Sequence, residues 1–452
     1  MHILKGYTKQ EISWMMYDWA NSAHSVIIVT LLPIFFDTVA GYTADSVSSM
    51  STWGYATSIA MLIVALAAPF LGVFGDIRGM RKKLFSFFML LGVAACAGMA
   101  FTPGMDFTSG PVAAGKVASL ILVLYIVSVI GFDASAIYYD AFLTDVTIED
   151  RMDKVSTMGY GLGYIGGSTI PLLIFLIMNL VGVPMLTCLA FVFGLTAVWW
   201  LAFSLPLLKN CEQTSGKPYE KGDVARSIKG VGTTIKEIIA NKPMLIYILS
   251  YFFYIDGVHT VISMATTYGT NLGLDSTGMM LALLLVQILG LPFCLLYIKC
   301  SEKFGARTMV GFGICVYMFI CIFAFFMNSL WQFWVLAVLC ATSQGGIQAL
   351  SRSMYGKLIP DKDRSGEFFG FFDIFGKFSS IMGPALVGAV SSVVANGMLG
   401  TQGLTAQTAT AEQIDAINAQ SSHYGILSII IIIIVGAVLY FGFLPKAEHA
   451  KQ

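Results

Sequence analysis

One short polar stretch between two long apolar runs decides the fold of this chain. It covers residues 72–82 and reads Gly72-Val73-Phe74-Gly75-Asp76-Ile77-Arg78-Gly79-Met80-Arg81-Lys82. The glycines permit close helix packing and a sharp turn. Asp76 can pair with a neighbouring arginine or bind the amino end of a facing helix. We therefore predict a latch here, a set of polar contacts made in one conformation of the protein and broken in another.

The composition around this stretch is that of a membrane protein. Of the 452 residues, 57% are hydrophobic and 12% are charged. Soluble domains are about 45–50% apolar and about 25% charged, so a water-soluble surface of this size is excluded. Such high hydrophobicity also excludes a disordered chain. The 26 basic and 26 acidic residues give a net charge of zero, which argues against a nucleic-acid binder.

The apolar runs predict twelve transmembrane helices, each long enough to cross ~30 Å of hydrocarbon. They lie near residues 14–36, 53–75, 84–102, 117–141, 156–180, 184–207, 243–268, 277–298, 308–328, 331–355, 367–392 and 423–444. Of the 26 Lys and Arg residues, only Lys116 falls in an odd-numbered loop. Because positive charge marks the cytoplasmic side, we expect both termini in the cytoplasm and a location in a bacterial cell membrane.

The chain divides into two groups of six spans. We predict an N-terminal half at 1–208, a cytoplasmic linker at 209–242 and a C-terminal half at 243–452. Apolar residues recur at helical spacing in the linker, namely Ile228, Val231, Ile235 and Ile238. This pattern fits an amphipathic helix on the inner leaflet, and it equally fits a solvated linker with a helical piece.

The two halves show traces of a repeat. Residues 21–27 of span 1 align with residues 256–262 of span 7, and residues 302–307 after span 8 are a weaker copy of the 72–82 stretch. The predicted fold is therefore an all-α integral membrane protein with twelve transmembrane helices in two parallel six-helix halves. We expect spans 1, 4, 7 and 10 to line the solute site.

Residues 72–82 resemble the loop signature of the major facilitator superfamily. Further stretches extend a resemblance along the chain: YDWANSA at 17–23, YYDAFL at 138–143, GYGLGYIGG at 159–167, QGGIQALSRS at 344–353, LIP at 358–360, EFFGFF at 367–372 and GKFSSIMGP at 376–384. Together they resemble the branch that includes the autophagy-related vacuolar amino-acid effluxers and their bacterial relatives. The resemblance implies a secondary transporter, amino acids as the leading substrate class, and transport out of the cytoplasm.

Polar residues inside spans are the candidates for solute binding. A charge at the bilayer centre costs at least ~2.5–3.5 kcal/mol, so each needs a partner, a wet cavity or a function. The predicted substrate-binding residues are Asn21, His24, Asp133, Asp256, His259, Gln344 and Gln348. The amine of a zwitterionic amino acid would meet Asp133 or Asp256. Its carboxylate would accept hydrogen bonds from Asn21, Gln344 or Gln348.

Three of these residues are also predicted to couple transport to protons. Asp256 and His259 are one turn apart in span 7, close enough for a hydrogen bond, and Asp133 lies deep in span 4. Histidine titrates near neutral pH, which suits a coupling role. The alternative is a buried hydrogen-bonded pair without a role in transport.

Other polar residues point to gating or to structure. The predicted gating residues are Asp76, Arg78, Gly79, Arg81, Asp140, Asp145 and Arg352. Asp140 and Asp145 are expected to pair with an arginine of the 72–82 loop, while Arg352 either serves the cytoplasmic gate or snorkels to the interface. In span 11, Asp373 and Lys377 are four residues apart and predict a structural ion pair.

A different solute or a different class of membrane protein is the alternative to an amino-acid transporter. A cation-linked sugar symporter remains the alternative transporter, and an aromatic residue such as Trp53 or Tyr139 in the cavity would favour it. A membrane enzyme is not expected, since no span carries H-E-x-x-H or G-x-S-x-G, and there is no phosphate-binding loop for ATP. We expect no cofactor and no metal. The expected partners are a small solute, the bilayer and protons, with the protein a monomer.

Overall fold

The computed structural model describes residues 4–43, 49–218, 223–403, 408 and 410–444. Twelve helices in this part of the chain are long and apolar enough to cross a membrane, which confirms the predicted all-α membrane fold. The helices are α1 (Lys9–Ala40), α2 (Ser49–Gly75), α3 (Arg81–Met99), α4 (Pro111–Val146), α5 (Met152–Gly163), α6 (Ile170–Leu180), α7 (Met185–Asn210), α8 (Asp223–Ala240), α9 (Lys242–Asn271), α10 (Ser276–Phe304), α11 (Ala306–Phe325), α12 (Leu330–Leu358), α13 (Ser365–Thr401) and α14 (Ala411–Ala437).

Helix ends follow local sequence signals. Thr8 accepts the amide of Glu11 through its side chain, and Glu11 accepts the amide of Thr8, so a capping box starts α1. Gly79 precedes α3 with φ +80°, and Gly305 separates α10 from α11 with φ +84°. Glycine adopts these left-handed conformations without the steric penalty of a side chain, which allows two long helices to be joined by a very short turn.

Two spans depart from a regular α-helix. The fifth span is α5, a π-helical segment at Tyr164–Thr169 and then α6, and the twelfth ends in a π-helical segment at Val438–Phe443. The eleventh span is longer than its predicted apolar run at 367–392, since α13 extends to Thr401. Hydropathy marks only the part of a helix that faces lipid, whereas backbone hydrogen bonding continues past it.

Contacts divide the chain into two compact units. The first unit comprises Met1–Thr234 and Ile359–Ile374, and the second comprises Ile235–Leu358 and Phe375–Gln452. In the first unit α1 packs on α7, and α4 packs on α2 and α3. In the second unit α9 packs on α14, and α12 packs on α10 and α11. The first span thus packs on the sixth, and the fourth on the second and third, in each half.

The predicted linker contains a helix. Residues 223–240 form α8, whose second half presents Ile235 and Ile239 to the surface and buries Thr234 and Ile238. The boundary between the units falls inside this helix, between Thr234 and Ile235. The division at 208 and 243 stays a prediction from the sequence.

Candidate functional site

Asp76 follows α2 directly, and its carboxylate binds the amino end of α13 within the first unit. Its Oδ1 accepts a hydrogen bond from the amide of Gly366 at 2.7 Å, and its Oδ2 accepts one from the amide of Glu367 at 2.8 Å. The first N–H groups of a helix have no intrahelical acceptor and lie at the positive end of its dipole. A carboxylate placed there satisfies two of them and is itself stabilised.

Glycines let the two helices come this close. A Cβ atom on Gly366 would lie 2.6 Å from the carbonyl oxygen of Gly72 and 2.8 Å from Oδ1 of Asp76. One turn further along α13, a Cβ atom on Gly370 would lie 2.5 Å from the carbonyl oxygen of Ala68. A Cβ atom on Gly72 would in turn clash with the carbonyl oxygen of Gly366, so Gly72 permits the close backbone contact between α2 and α13.

Arg81, the first residue of α3, contacts Asp76 and is fully buried. Its Nη2 donates to Oδ1 of Asp76 at 2.9 Å, and its Nη1 donates to Oδ2 of Asp145 at 2.5 Å. The same guanidinium also donates to the carbonyl of Ala141 (3.2 Å), to Oγ of Ser215 (3.1 Å) and to Oγ of Ser365 (2.8 Å). Only arginine offers several donors in one fixed plane, so a single side chain joins α3, α4, the segment after α7 and the start of α13.

This cluster contains one more negative than positive side chain. Two carboxylates, Asp76 and Asp145, share one guanidinium, that of Arg81. Burial raises the pKa of Asp76 to about 7, while Arg81 and the two amides of α13 act in the opposite direction. One proton on Asp76 would bring the formal charge of the three side chains to zero.

The remaining predicted gating residues have separate positions. Gly79 forms the turn between α2 and α3, and its amide donates to the side chain of Gln213. Arg78 has an exposed side chain, and Asp140 is partly buried on α4. Arg352 is buried on α12 in the second unit. The structure thus brings Asp76, Arg81 and Asp145 into one cluster with Gly79 beside it.

In the second unit, Asp256 on α9 binds the backbone of α13. Its Oδ1 accepts from the amide of Gly383 at 2.9 Å and from Oγ1 of Thr260 at 3.4 Å. The bond between Asp256 and His259 stays a prediction. Its Oδ2 is buried and has no hydrogen-bond partner among the described residues. The bonded amide lies one residue before Pro384, which has no N–H of its own, so the carboxylate sits where the backbone ladder of α13 is interrupted.

His259 faces different neighbours from Asp256. Its imidazole is hydrogen-bonded to the side chain of Gln348 on α12 and lies within electrostatic range of Lys377 on α13. The amide nitrogen of Gln348 donates to the carbonyl of Gln344, one turn earlier. Three of the predicted site residues, together with Lys377, therefore lie close to one another within the second unit.

The ion pair predicted between Asp373 and Lys377 joins two residues four positions apart on α13. Both are partly buried. Asp373 belongs to the first unit and Lys377 to the second. The pairing itself stays a prediction.

The polar residues of the first unit are packed tightly. His24 is buried on α1, its ring stacks on Phe132 at 4.8 Å between centroids, and its Nε2 is 3.2 Å from Oγ of Ser128. Asn21 is buried one turn earlier, and Asp133 is buried on α4 next to Phe132. His24 thus lies among aromatic side chains between α1 and α4, and it also contacts Trp200 of α7.

The two aromatic residues considered for sugar stacking have different surroundings. Tyr139 is buried, and its ring stacks on Trp14 at 4.4 Å. Trp53 is partly accessible and lies against Tyr125 with ring centroids 4.3 Å apart. Of the two, only Trp53 has surface left for a ligand.

Sequence reasoning missed several polar contacts. The segment after α7 supplies Gln213 and Ser215 to the Arg81 cluster, but it has neither hydrophobic periodicity nor a motif. Sequence reasoning also missed Thr260 and Gly383 as the partners of Asp256. For Gly383 a signal existed, because a Gly-Pro pair inside an apolar span marks a broken backbone ladder.

Solved structures of low sequence identity share the fold of this chain. The chain matches the major facilitator proton:xylose symporter XylE with a TM-score of 0.71 and 14% identity, covering 98% of each chain. It matches the major facilitator transporter FucP in the outward conformation with a TM-score of 0.63 and 12% identity, covering 96% of this chain and 98% of that one. At such identities the likeness concerns the fold, which is that of a major facilitator transporter.

Sequence relatives narrow this class to a family. The model of the family described as "Vacuole effluxer Atg22 like" matches residues 41–149 and 144–400, so the chain belongs to that family. A Bacillus subtilis (strain 168) protein named "Uncharacterized MFS-type transporter YxiO" is 40% identical over 452 residues, 98% of this chain and 96% of that protein. Autophagy-related protein 22-1 of Penicillium rubens is 26% identical over 274 residues, 55% of this chain but 46% of the fungal protein. The chain is a multi-pass membrane transporter, and the resemblance predicted from its motifs is confirmed.

Proposed function

We propose that this transporter is a secondary active carrier that moves amino acids across the membrane by alternating access, coupled to protons and directed out of the cytoplasm. The observation that carries the alternating-access part is the binding of the α13 amino end by Asp76 and Arg81. These contacts join segments 290 residues apart in the chain. They are polar and reversible, as a latch between two conformations requires.

The substrate class is supported by the polar side chains of the second unit. An amino acid carries a carboxylate and an amine. His259, Gln348 and the nearby Lys377 offer donors for a carboxylate. Asp256 offers an acceptor for an amine through Oδ2, which no described residue occupies. Asn21, His24, Asp133 and Gln344 complete the proposed set of substrate-binding residues.

The substrate class is tested by thermal unfolding of the purified protein with panels of amino acids, sugars and nucleosides. A ligand that binds the folded state raises its stability by about 2.7 kcal/mol at a concentration one hundred times its dissociation constant. We expect stabilisation by one or more amino acids. Stabilisation by sugars alone would contradict the proposal and support the cation-linked sugar symporter, with Trp53 as the stacking residue.

Proton coupling is assigned to Asp256, with His259 and Asp133 assisting. The variant Asp256→Asn keeps an oxygen that accepts the amide of Gly383, but it cannot bind or release a proton in the physiological range. In proteoliposomes we expect it to retain exchange of labelled substrate and to lose substrate-driven proton movement. The matched control is Thr260→Val, which removes the neighbouring hydroxyl and leaves the carboxylate. Unchanged proton movement in Asp256→Asn would refute the assignment.

A further inference from the structure

The segment that follows α7 crosses the turn between α2 and α3. We call residues 213–217 the strap. Its first residue is Gln213, whose neutral side-chain amide forms hydrogen bonds to both sides of the turn. Its Oε1 accepts the amides of Gly79 (2.8 Å) and Arg81 (3.3 Å), and its Nε2 donates to the carbonyl of Gly75 (3.0 Å). One side chain therefore fixes the distance between the end of α2 and the start of α3.

The far end of the strap pairs with the same turn through the backbone. The amide of Arg78 donates to the carbonyl of Lys217 at 2.9 Å, and the amide of Lys217 donates to the carbonyl of Asp76 at 3.0 Å. Gly216 directly precedes Lys217 with φ +112°, and a Cβ atom on Gly216 would lie 2.6 Å from the Asp76 carbonyl oxygen. A glycine is required at this position both for its conformation and for its lack of a side chain.

The middle of the strap forms hydrogen bonds to the carboxylate of Asp145. Oδ1 of Asp145 accepts the amide and the hydroxyl of Thr214 at 3.1 and 2.9 Å. It also accepts the amide and the hydroxyl of Ser215 at 2.9 and 2.8 Å. These bonds leave Oδ2 for Arg81. The strap thus orients the carboxylate that holds the buried guanidinium.

We infer that the strap is a positioning element of the latch, with Gln213 and Gly216 as its determining residues. It holds the turn and Asp145 so that Asp76 and Arg81 stay aimed at the amino end of α13. The strap itself also reaches that region, since the amide of Gly216 donates to Oδ1 of Asp363 at 2.8 Å. This inference rests on the latch role proposed above.

The test measures how often the start of α13 is released. Ser365 is fully buried. In a Ser365→Cys variant in lipid nanodiscs, the rate of reaction with a maleimide therefore reports how often this position is released. The variant lacks seven native cysteines, namely Cys188, Cys211, Cys294, Cys300, Cys315, Cys321 and Cys340. Native Cys96 is kept, because it is buried in α3 and reports general loosening. Adding Gln213→Ala or Gly216→Ala should raise the labelling of position 365 about fivefold to tenfold, the equivalent of about one net hydrogen bond, and leave Cys96 unlabelled.

Matched variants decide the interpretation. Glu212→Ala changes an exposed neighbour and should leave the rate unchanged, while Gln213→Glu keeps the acceptor, loses the donor and should give an intermediate rate. Equal labelling of Cys96 and position 365 would show that the strap only stabilises the fold, which overturns the inference. Asp76→Asn and Arg81→Ala test the latch itself. If Asp76→Asn and Arg81→Ala raise the labelling rate of position 365 and the strap variants do not, the strap inference alone is wrong. If neither Asp76→Asn nor Arg81→Ala raises that rate, the proposed latch is wrong as well.

Discussion

Arg81 is fully buried and places one positive charge between two carboxylates. The sequence predicted that Asp145 would pair with Arg78 or Arg81, and the structure places it on Arg81. Periodicity cannot decide between two arginines three residues apart in a loop. The choice follows from the first turn of α3, which turns Arg81 inward while the side chain of Arg78 stays exposed.

The two arginines give a matched pair of substitutions. Arg81→Ala leaves buried carboxylates without their counter-charge, and breaking a buried pair in this way costs about 3–5 kcal/mol. Arg78→Ala removes an exposed side chain and should change stability by less than about 0.5 kcal/mol. Thermal unfolding in one detergent compares them. Equal midpoints for both variants would contradict the burial of the Arg81 cluster.

The Asp76 carboxyl predicts a pH dependence. Its pKa is raised to about 7 in the folded protein against about 3.9 in an unfolded chain. The folded state therefore binds more protons between these values, and its stability falls as the pH rises towards 7. Asp76→Asn lacks this titration. The stability of the wild type relative to Asp76→Asn should fall from pH 5 to pH 7 and level off above pH 8, and a rise over that range would contradict the raised pKa.

At the scale of elements, the fifth span owes its position to its glycines. A Cβ atom on Gly163 would lie 2.5 Å from Oγ of Ser22, and one on Gly167 would lie 2.5 Å from the carbonyl oxygen of Trp19, both on α1. The density of small residues at 159–167 predicts such close packing from the sequence. The π-helical segment at Tyr164–Thr169 was not predictable, because one extra residue in a helical turn leaves the apolar pattern almost unchanged.

Adding a methyl group to this contact should separate the helices. Gly163→Ala or Gly167→Ala should cost about 1–3 kcal/mol through overpacking against α1. Gly115→Ala is the control, because a Cβ atom on this helical glycine of the same unit has no neighbour within 4 Å. Thermal unfolding distinguishes them. A midpoint for Gly163→Ala as high as that of Gly115→Ala would show that α1 and the fifth span can move apart freely.

For the molecule as a whole, the sequence predicted the number and order of the spans because apolar length and charge distribution report on the bilayer directly. It could not predict which polar groups meet within a unit. Asp256 and His259 are neighbours on α9, yet one binds the backbone of α13 and the other a side chain of α12. Their directions depend on the rotation of each helix, which hydropathy does not encode in a helix apolar on nearly all sides.

Cysteine labelling from either side of the membrane tests the predicted orientation. The distribution of Lys and Arg predicts that the loop between α3 and α4 is outside and the loop between α2 and α3 is inside. Ser109 and Arg78 are exposed in these two loops. In a background without native cysteines, Ser109→Cys should react with an impermeant maleimide in right-side-out vesicles and Arg78→Cys only in inside-out vesicles. The reverse pattern would place both termini outside.

The contacts of Asp76 also have a consequence for biosynthesis. Its partner Gly366 is translated 290 residues later, which at about 5–20 residues per second is a delay of roughly 15–60 s. Gln213 lies only 134 residues after Gly79, so the strap reaches the turn while α13 is still unmade. A nascent chain can therefore form the contacts of Arg81 with α4 and the strap well before the partner of the latch leaves the ribosome.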